Sequence, residues 1–345
     1  MGITSGLRRY FSFQSEKQLS PIDPRPRPGH AMNLHSVFDC LIDHPTPTQF
    51  FLFASIIISV WLAEKIAFAE PARVKRLHTS RNALFIVSAL PVQISMMLFC
   101  LGLAKWTTVN RWGLVYLLPN ADSPLIKYGL MFFVLDLLDY VYHSTMHRVP
   151  AFWRFHLVHH TDRAVDVSTT MREHPGETLI RNGFLILWVF LCGASVAILI
   201  LRQTVETVAN LFAHTSFRLP PGPARVLGWL FITPNLHHAH HHFQMPATNR
   251  NYGDVFSIWD RLFGTFMELA REDTVFGLDT HMDGAVNTGL LQIVLRGRLL
   301  VPRSLRSGFM KVQSITRKQT TSALTDLALP RQLKIADYYR APSTM

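Results

Sequence analysis

The stretch that decides the fold is DYVYHSTMHRVPAFWRFHLVHHTD, residues 139–162. It contains five histidines in two groups: His143 and His147, then His156, His159 and His160. Residues that are three or four positions apart lie on the same side of an α-helix. Each group therefore predicts a helix that presents several imidazoles on one face. Twelve of the 17 histidines of the chain fall between positions 143 and 242, so we expect the chemistry there.

A second histidine-rich stretch, TPNLHHAHHH, occupies residues 233–242. It contains the spacing HxxHH twice, as His237/His240/His241 or as His238/His241/His242. Neutral imidazole is the commonest metal ligand in proteins and suits Fe, Zn, Cu and Ni. The histidine groups together offer more nitrogens than one ion can coordinate, which predicts two metal ions. The three cysteines are too scattered to form a Cys-ligated zinc site.

Long apolar runs surround the histidines and predict an all-α membrane protein. The runs 49–69, 83–104, 124–142 and 183–201 approach the ~20 apolar residues that cross a bilayer, and 203–216 could return as the second arm of a hairpin. We therefore expect about four membrane-embedded helices, in two hairpins, capped by a helical histidine-rich domain. The net charge of +11 would suit nucleic acid, but the mean hydropathy of +0.16 favours an anionic membrane surface instead.

The orientation in the membrane follows from basic residues. Arg73, Lys75, Arg76 and Arg81 lie between the first two runs, and such loops face the cytoplasm. The clustered histidines then also lie on the cytoplasmic side of a multi-pass protein. Whether this membrane is a bacterial inner membrane or the endoplasmic reticulum stays open.

Three regions are expected along the chain. Residues 1–48 form a flexible arm that contains several prolines, and residues 49–290 form the membrane-embedded catalytic domain. Residues 291–345 form a basic cytoplasmic tail with ten Lys/Arg against only Asp326 and Asp337. This tail is expected to lie on anionic headgroups or to help dock an acidic electron carrier.

Further motifs accompany the histidine groups: DVSTTMREHPGE (166–177), LFAHTSFRLP (211–220) and NYGDVFSIWDRLFGT (251–265). With these motifs, the region from about Asp136 to Thr265 resembles the fatty acid hydroxylase/sterol desaturase superfamily of integral-membrane di-iron oxygenases. The resemblance implies two iron ions, O2 as a co-substrate and a membrane lipid as the substrate.

The resemblance also implies a set of ligands, in which Pro234 selects the first of the two registers of the last histidine group. The nine metal ligands that it implies are His143, His147, His156, His159, His160, His214, His237, His240 and His241. His174, His238 and His242 are secondary candidates, as ligands or as hydrogen-bond partners of ligands. No catalytic residue beyond the metal ligands is expected.

Acidic residues near the histidines are candidates to support them. Asp139 precedes His143 by one helical turn and could accept its N–H, as carboxylates often do beside ligating histidines. Asp136 is expected to pair with Lys127, because an intramembrane carboxylate needs a partner. Glu177 is expected to support the second histidine group in the same way.

The predicted function is hydroxylation, or alternatively desaturation, of a C–H bond in a fatty acyl chain, a sterol or a related lipid. The chain has no dinucleotide-binding fingerprint, so electrons from NAD(P)H must arrive through a cytochrome b5-like or ferredoxin-like carrier. The alternatives are a non-catalytic membrane metal-binding protein and a metal-dependent lipid hydrolase. The substrate itself stays open.

Overall fold

The computed structural model describes residues 45–67 and 72–281, and this part of the chain is helical, with two isolated β-bridges but no strand. The helices are α1 (Pro45–Ala67), α2 (Ala72–Val109), α3 (Met131–Arg148), α4 (Pro150–His160), α5 (Pro175–Cys192), α6 (Val196–Ala213), α7 (Pro221–Gly228), α8 (Pro234–His240) and α9 (Ile258–Leu262). A π-helical turn, Leu125–Leu130, leads directly into α3. Short 3-10 helices occupy Leu114–Leu117, Val167–Met171, Ala247–Asn249 and Asp279–His281.

Local sequence explains where the helices around the site begin. The Thr233 side chain accepts a hydrogen bond from the Leu236 N–H at the start of α8, and Pro234 takes the first helical position. The His174 side chain caps α5 in the same manner, by accepting from the Gly176 N–H at 2.8 Å. These caps fix the residues at which α8 and α5 begin.

The prediction of one membrane helix over 183–201 is wrong. Helix α5 ends at Cys192, Gly193 adopts the left-handed conformation (φ 81°), and Ser195 caps the new helix α6. A glycine tolerates this conformation at the end of a helix, whereas residues with a Cβ resist it. The return arm of the hairpin therefore begins at Val196 rather than at residue 203.

Two helical segments of the described chain are long and apolar enough to cross a membrane: Arg73–Leu117 and Val196–Ala213. The predicted runs 49–69, 83–104 and 124–142 are helical over most of their length, in α1, α2 and the segment 125–148. The number of four membrane-embedded helices and their orientation stay predictions.

The basic residues between the first two runs do not form the predicted loop. They lie in the first turns of α2, which begins at Ala72. Lys75 is buried against Glu64 at 2.8 Å and Asp166 at 3.1 Å, because a charge that leaves water needs a partner of opposite sign. This side chain is therefore neutralised by partners inside the protein.

The core that supports the site lies between the long helices. Helix α2 packs chiefly against α5, and α3 packs against α4. A hydrophobic cluster joins residues of α2, α3, α5 and α6, among them Ala104, Leu135, Val189 and Ile198. The predicted arm (1–48) and basic tail (291–345) lie outside the described residues, except that 45–48 already belong to α1.

Candidate metal centre

Nine buried or half-buried histidines converge into two adjacent clusters. The five-imidazole cluster consists of His143, His147, His156, His160 and His240, and the four-imidazole cluster of His159, His214, His237 and His241. Within each cluster the candidate ligand atoms all lie within 4.8 Å of one another. The structure thus brings together all nine histidines that the sequence singles out; their role as metal ligands stays a prediction.

The helices α4 and α8 each divide their histidines between the two clusters. In α4, His156 and His160 point to the five-imidazole cluster, and His159 points to the other. In the α8 segment, His237 and His241 point to the four-imidazole cluster, while His240 crosses to the first. The expectation that the histidines of one group share a single helical face is therefore wrong: only the i, i+4 pairs point the same way, because neighbouring positions differ by about 100° around the helix.

Backbone carbonyls determine the tautomers of three rings. The Nδ1–H groups of His143, His214 and His240 donate to carbonyl oxygens of Tyr252 (2.9 Å), Asn210 (2.8 Å) and Arg250 (2.7 Å). A carbonyl only accepts, so Nδ1 carries the proton in each ring and Nε2 carries the lone pair. All three lone pairs consequently face into the clusters.

The converging nitrogens cannot all be satisfied by hydrogen bonds to one another, whereas a cation could bind them together. His214 Nε2 has a single lone pair, yet the Nε2 atoms of His159, His237 and His241 lie 3.1, 2.9 and 3.3 Å from it. In the other cluster, His240 Nε2 is buried and finds no hydrogen-bond partner within the described part of the chain. A metal ion that accepts these lone pairs resolves both situations, so the residues present fit two metal ions.

Electrostatics also prepares the rings for metal binding. Burial, followed by the influence of neighbouring imidazoles and partly opposed by hydrogen bonds, lowers the pKa of His143 and His214 to about 3. Burial lowers the pKa of His156 to about 3 as well, and the other six rings of the clusters follow the same direction. The imidazoles are therefore neutral at pH 7, which is the form that binds metal.

A carboxylate and two aromatic rings complete the surroundings of the five-imidazole cluster. Glu177 Oε1 lies 2.6 Å from His156 Nδ1 and accepts a hydrogen bond from the Tyr142 hydroxyl at 3.3 Å. Burial raises the pKa of Glu177 to about 7, and a cation on His156 would favour its ionised form. The rings of Tyr252 and Trp153 lie 5.1 and 4.9 Å from the His147 ring, which gives the cluster an apolar wall.

The secondary candidates lie outside both clusters. His238 Nε2 donates to the Thr215 carbonyl at 2.9 Å, and His242 Nδ1 accepts from the Val275 N–H at 3.2 Å. His174 caps α5. These three histidines organise the backbone, so the first register of the last histidine group, His237/His240/His241, is the one that reaches the centre.

The predicted roles of the two aspartates of α3 are wrong. Asp139 is paired with Arg202 of α6, through Nε at 3.0 Å and Nη2 at 2.5 Å, instead of supporting His143. Asp136 accepts from the Val255 N–H at 3.1 Å and from the Trp259 indole at 2.7 Å, instead of pairing with Lys127. A guanidinium and two N–H donors within the packed protein satisfy these buried carboxylates better than a distant lysine.

Sequence reasoning missed a buried polar network that anchors the segment after α4. His78 Nε2 contacts Asp162 at 2.9 Å and its Nδ1 contacts Asp166 at 3.3 Å. Glu64 accepts from the Ser216 N–H at 2.7 Å, two residues after His214. A single histidine at the start of a basic helix carries no spacing signal, so only the folded structure identifies this network.

These features define a helical protein with two candidate membrane spans and a histidine-rich centre that fits metal ions. Residues 128–265 match the family model for fatty acid hydroxylase. This match and the curated relatives support the fatty acid hydroxylase superfamily, which the motifs of the chain resemble.

Curated relatives also match part of the chain. The chain is 32% identical over 152 residues to OlsE, an ornithine lipid hydroxylase of Rhizobium tropici. The aligned residues make up 44% of each of the two chains. It is 29% identical over 163 residues to the alkylglycerol monooxygenase of Caenorhabditis elegans. This alignment covers 46% of the present chain and 31% of the monooxygenase. The human alkylglycerol monooxygenase is 30% identical over 164 residues, 46% and 34% of the two chains. The chain thus spans less than half the length of these relatives, and no solved structure matches it.

Proposed function

We propose that this protein is an O2-dependent lipid hydroxylase whose nine clustered histidines hold two iron ions. The observation that carries the proposal is the convergence of five and four imidazoles in adjacent buried clusters, in which every candidate ligand atom is a ring nitrogen. A hydrolytic zinc site generally has three protein ligands and an open position for water, fewer than either cluster offers. When bound, a pair of ferrous ions supplies O2 activation and removal of hydrogen from an unactivated C–H bond.

The residues of the chain hold and shield this centre. The carbonyls of Tyr252, Arg250 and Asn210 orient three rings by accepting their Nδ1–H groups. Glu177 supports His156, and a carboxylate in this position makes the imidazole a stronger ligand. The wall formed by Trp153 and the Tyr252 ring limits access of water, so the reaction is directed to the lipid.

Hydroxylation is preferred over desaturation because the curated relatives are a hydroxylase and monooxygenases. Their names also support a lipid as the substrate class, whether a fatty acyl chain, a sterol or a related lipid. In this proposal the histidines face the cytoplasm and about four helices enter the membrane. A cytochrome b5-like or ferredoxin-like carrier supplies electrons from NAD(P)H, and residues 291–345, which are basic, help to dock it.

The test is oxygen incorporation. The purified protein in lipid vesicles, with iron, a chemical or enzymatic reductant and ¹⁸O2, should yield a lipid that carries one ¹⁸O atom. A His160→Ala variant should yield no labelled lipid. His238→Ala should retain the activity, because the His238 ring lies outside the clusters. A lipid that loses two hydrogens without gaining oxygen would indicate desaturation. Release of fatty acid without O2 would indicate a hydrolase, and metal binding without any lipid product a non-catalytic protein.

A further inference from the structure

Six large apolar side chains point outward from two segments that flank the last histidine group in the chain. They lie at the end of α7, in the segment after it, and at the end of α9. Their exposed fractions are 73% for Val226, 67% for Trp229, 44% for Leu230, 40% for Phe231, 69% for Leu262 and 51% for Phe263. We call these six side chains the apolar patch. Contiguous exposed apolar surface of this kind marks a site of interaction with a membrane or another molecule.

Hydrogen bonds hold the backbone of the patch in place. The Leu230 carbonyl accepts from the Ser257 N–H at 2.9 Å, and the Ile232 N–H donates to the Val255 carbonyl at 2.9 Å. Arg261 donates to the Gly228 carbonyl at 3.1 Å and so joins α9 to the end of α7. The outward position of the side chains is therefore built into the fold.

Aromatic contacts connect the patch to the predicted membrane run 124–142. The Phe231 ring lies 5.7 Å from that of Phe256, which lies 5.8 Å from that of Phe133 on α3. Phe133 is itself 40% exposed. Its neighbours Met131 and Leu135 belong to the hydrophobic cluster that α3 shares with the long helices.

That cluster includes residues of both candidate membrane spans. It contains Cys100 and Ala104 from α2 and Ile198 and Leu199 from α6, within Arg73–Leu117 and Val196–Ala213. At the same level of α2, Leu98 is 59% exposed, as expected for a side chain in contact with lipid. Through Phe256, the apolar patch continues onto the exposed side chains of Phe133 and Leu130 in the predicted membrane run 124–142.

Two arginine side chains lie beside the patch, as is common where a protein contacts lipid headgroups. The Arg261 guanidinium lies over the Trp229 ring at 5.0 Å and over the Phe266 ring at 3.7 Å. Arg225, beside Val226, is exposed. Tryptophan and arginine are suited to the headgroup region, because each has an apolar body and a polar or charged end.

We propose that the apolar patch inserts into the boundary between lipid headgroups and acyl chains, as a membrane contact additional to the spans. The occupant of this surface is the bilayer itself, since the patch is continuous with exposed apolar side chains of the predicted membrane run 124–142 and lies beside Arg225 and Arg261, which suit phosphate groups. The inference does not depend on the reaction. Its consequence is geometric: the patch meets α3 near Phe133, ten residues or about 15 Å from His143, and also at Tyr140, one turn from His143, where the Phe263 ring stacks. Insertion would hold the metal centre at a set height above the acyl chains.

The test measures what surrounds the patch in the full-length protein reconstituted into phosphatidylcholine/phosphatidylglycerol vesicles. The native Cys40, Cys100 and Cys192 are replaced by serine, and a nitroxide label is attached to Trp229→Cys or Leu262→Cys. Glu272→Cys serves as the control for an exposed polar site, and Leu98→Cys as the control for lipid contact. Collision rates with O2, which partitions into lipid, and with a water-soluble nickel chelate are measured by electron paramagnetic resonance.

At both patch positions the ratio of O2 to nickel collisions should exceed that at Glu272→Cys several-fold and approach that at Leu98→Cys. A ratio equal to that of Glu272→Cys places the patch in water and overturns the proposal. Low collision rates with both reagents mean that a protein surface or a second copy of the chain covers the patch, which also overturns it.

A second measurement retains the native cysteines, in case their removal impairs folding. Lipids with brominated acyl chains quench tryptophan fluorescence only on contact. The amount of fluorescence that these lipids quench should fall in Trp229→Phe relative to the unmodified protein, and an unchanged amount would overturn the proposal.

Discussion

Replacing Glu177 by Gln tests how the protein supports its metal ligands. Glu177 Oε1 lies 2.6 Å from His156 Nδ1, and both side chains are at least nine-tenths buried. Glutamine keeps an oxygen that can accept the Nδ1–H but removes the negative charge that strengthens the imidazole as a ligand. Loss of such a supporting group typically weakens metal binding 10–100-fold, which is about 1.4–2.7 kcal/mol. We therefore expect Glu177→Gln to weaken binding at the five-imidazole cluster by roughly this factor.

The assay is an anaerobic titration of metal-depleted protein with Fe²⁺ against a competing chelator. One of two binding steps should weaken in Glu177→Gln, while the step that belongs to the four-imidazole cluster stays unchanged. Glu173→Gln is the matched control, because Glu173 lies on the same segment but pairs with Arg181 at 3.0 Å. Equal affinities in the two variants and the unmodified protein would refute the role of Glu177.

Three further changes address other parts of the structure. His240→Ala should lose the ion of the five-imidazole cluster, whereas His238→Ala should keep a full metal content in elemental analysis; equal losses would place the third histidine group in the other register. Arg202→Met should lower the free energy of unfolding in detergent by about 3–5 kcal/mol, because it leaves Asp139 buried without its cation, and a loss below about 1 kcal/mol would contradict the buried pair. Metal-depleted protein should lose stability as the pH falls from about 6.5 towards 3, because burial lowers the pKa of His156 to about 3 and the unfolded chain takes up the proton first. Equal unfolding midpoints at about pH 7 and 4 would contradict this neutral, buried state.

Helical periodicity predicted which histidines of one segment lie together, whereas His214 and the register of the last histidine group came from the resemblance to the family. The spacing of His156 and His160 places both rings together, and the structure finds them in one cluster. The same reasoning put His159 on their face, whereas it belongs to the other cluster. Periodicity describes one helix at a time, and the division between two clusters depends on which helix faces each ring.

The partners of the acidic residues were not predictable for a related reason. Asp139 is one turn from His143 in sequence, but Arg202 on α6 approaches it in the fold. Glu177 did come to support a histidine of the second group, although no spacing connects it to His156. Hydrogen bonds between distant segments depend on packing, which local sequence patterns do not encode.

The helix boundaries show where hydropathy alone is insufficient. The run 183–201 is uniformly apolar, so the break at Gly193 leaves no trace in its hydropathy. The signal was a different one: a glycine followed two positions later by Ser195, a helix-capping residue. The break between α5 and α6 was therefore predictable from the turn and capping residues but not from hydropathy.

The measurement that tests the central proposal most directly is metal stoichiometry with one variant in each cluster. Protein purified in detergent after expression with iron should contain about two iron ions per chain, the number of histidine clusters. His147→Ala and His241→Ala, one from each cluster, should each lower this to about one. A single zinc ion with no iron, or the same iron content in both variants and the unmodified protein, would contradict the two-iron centre.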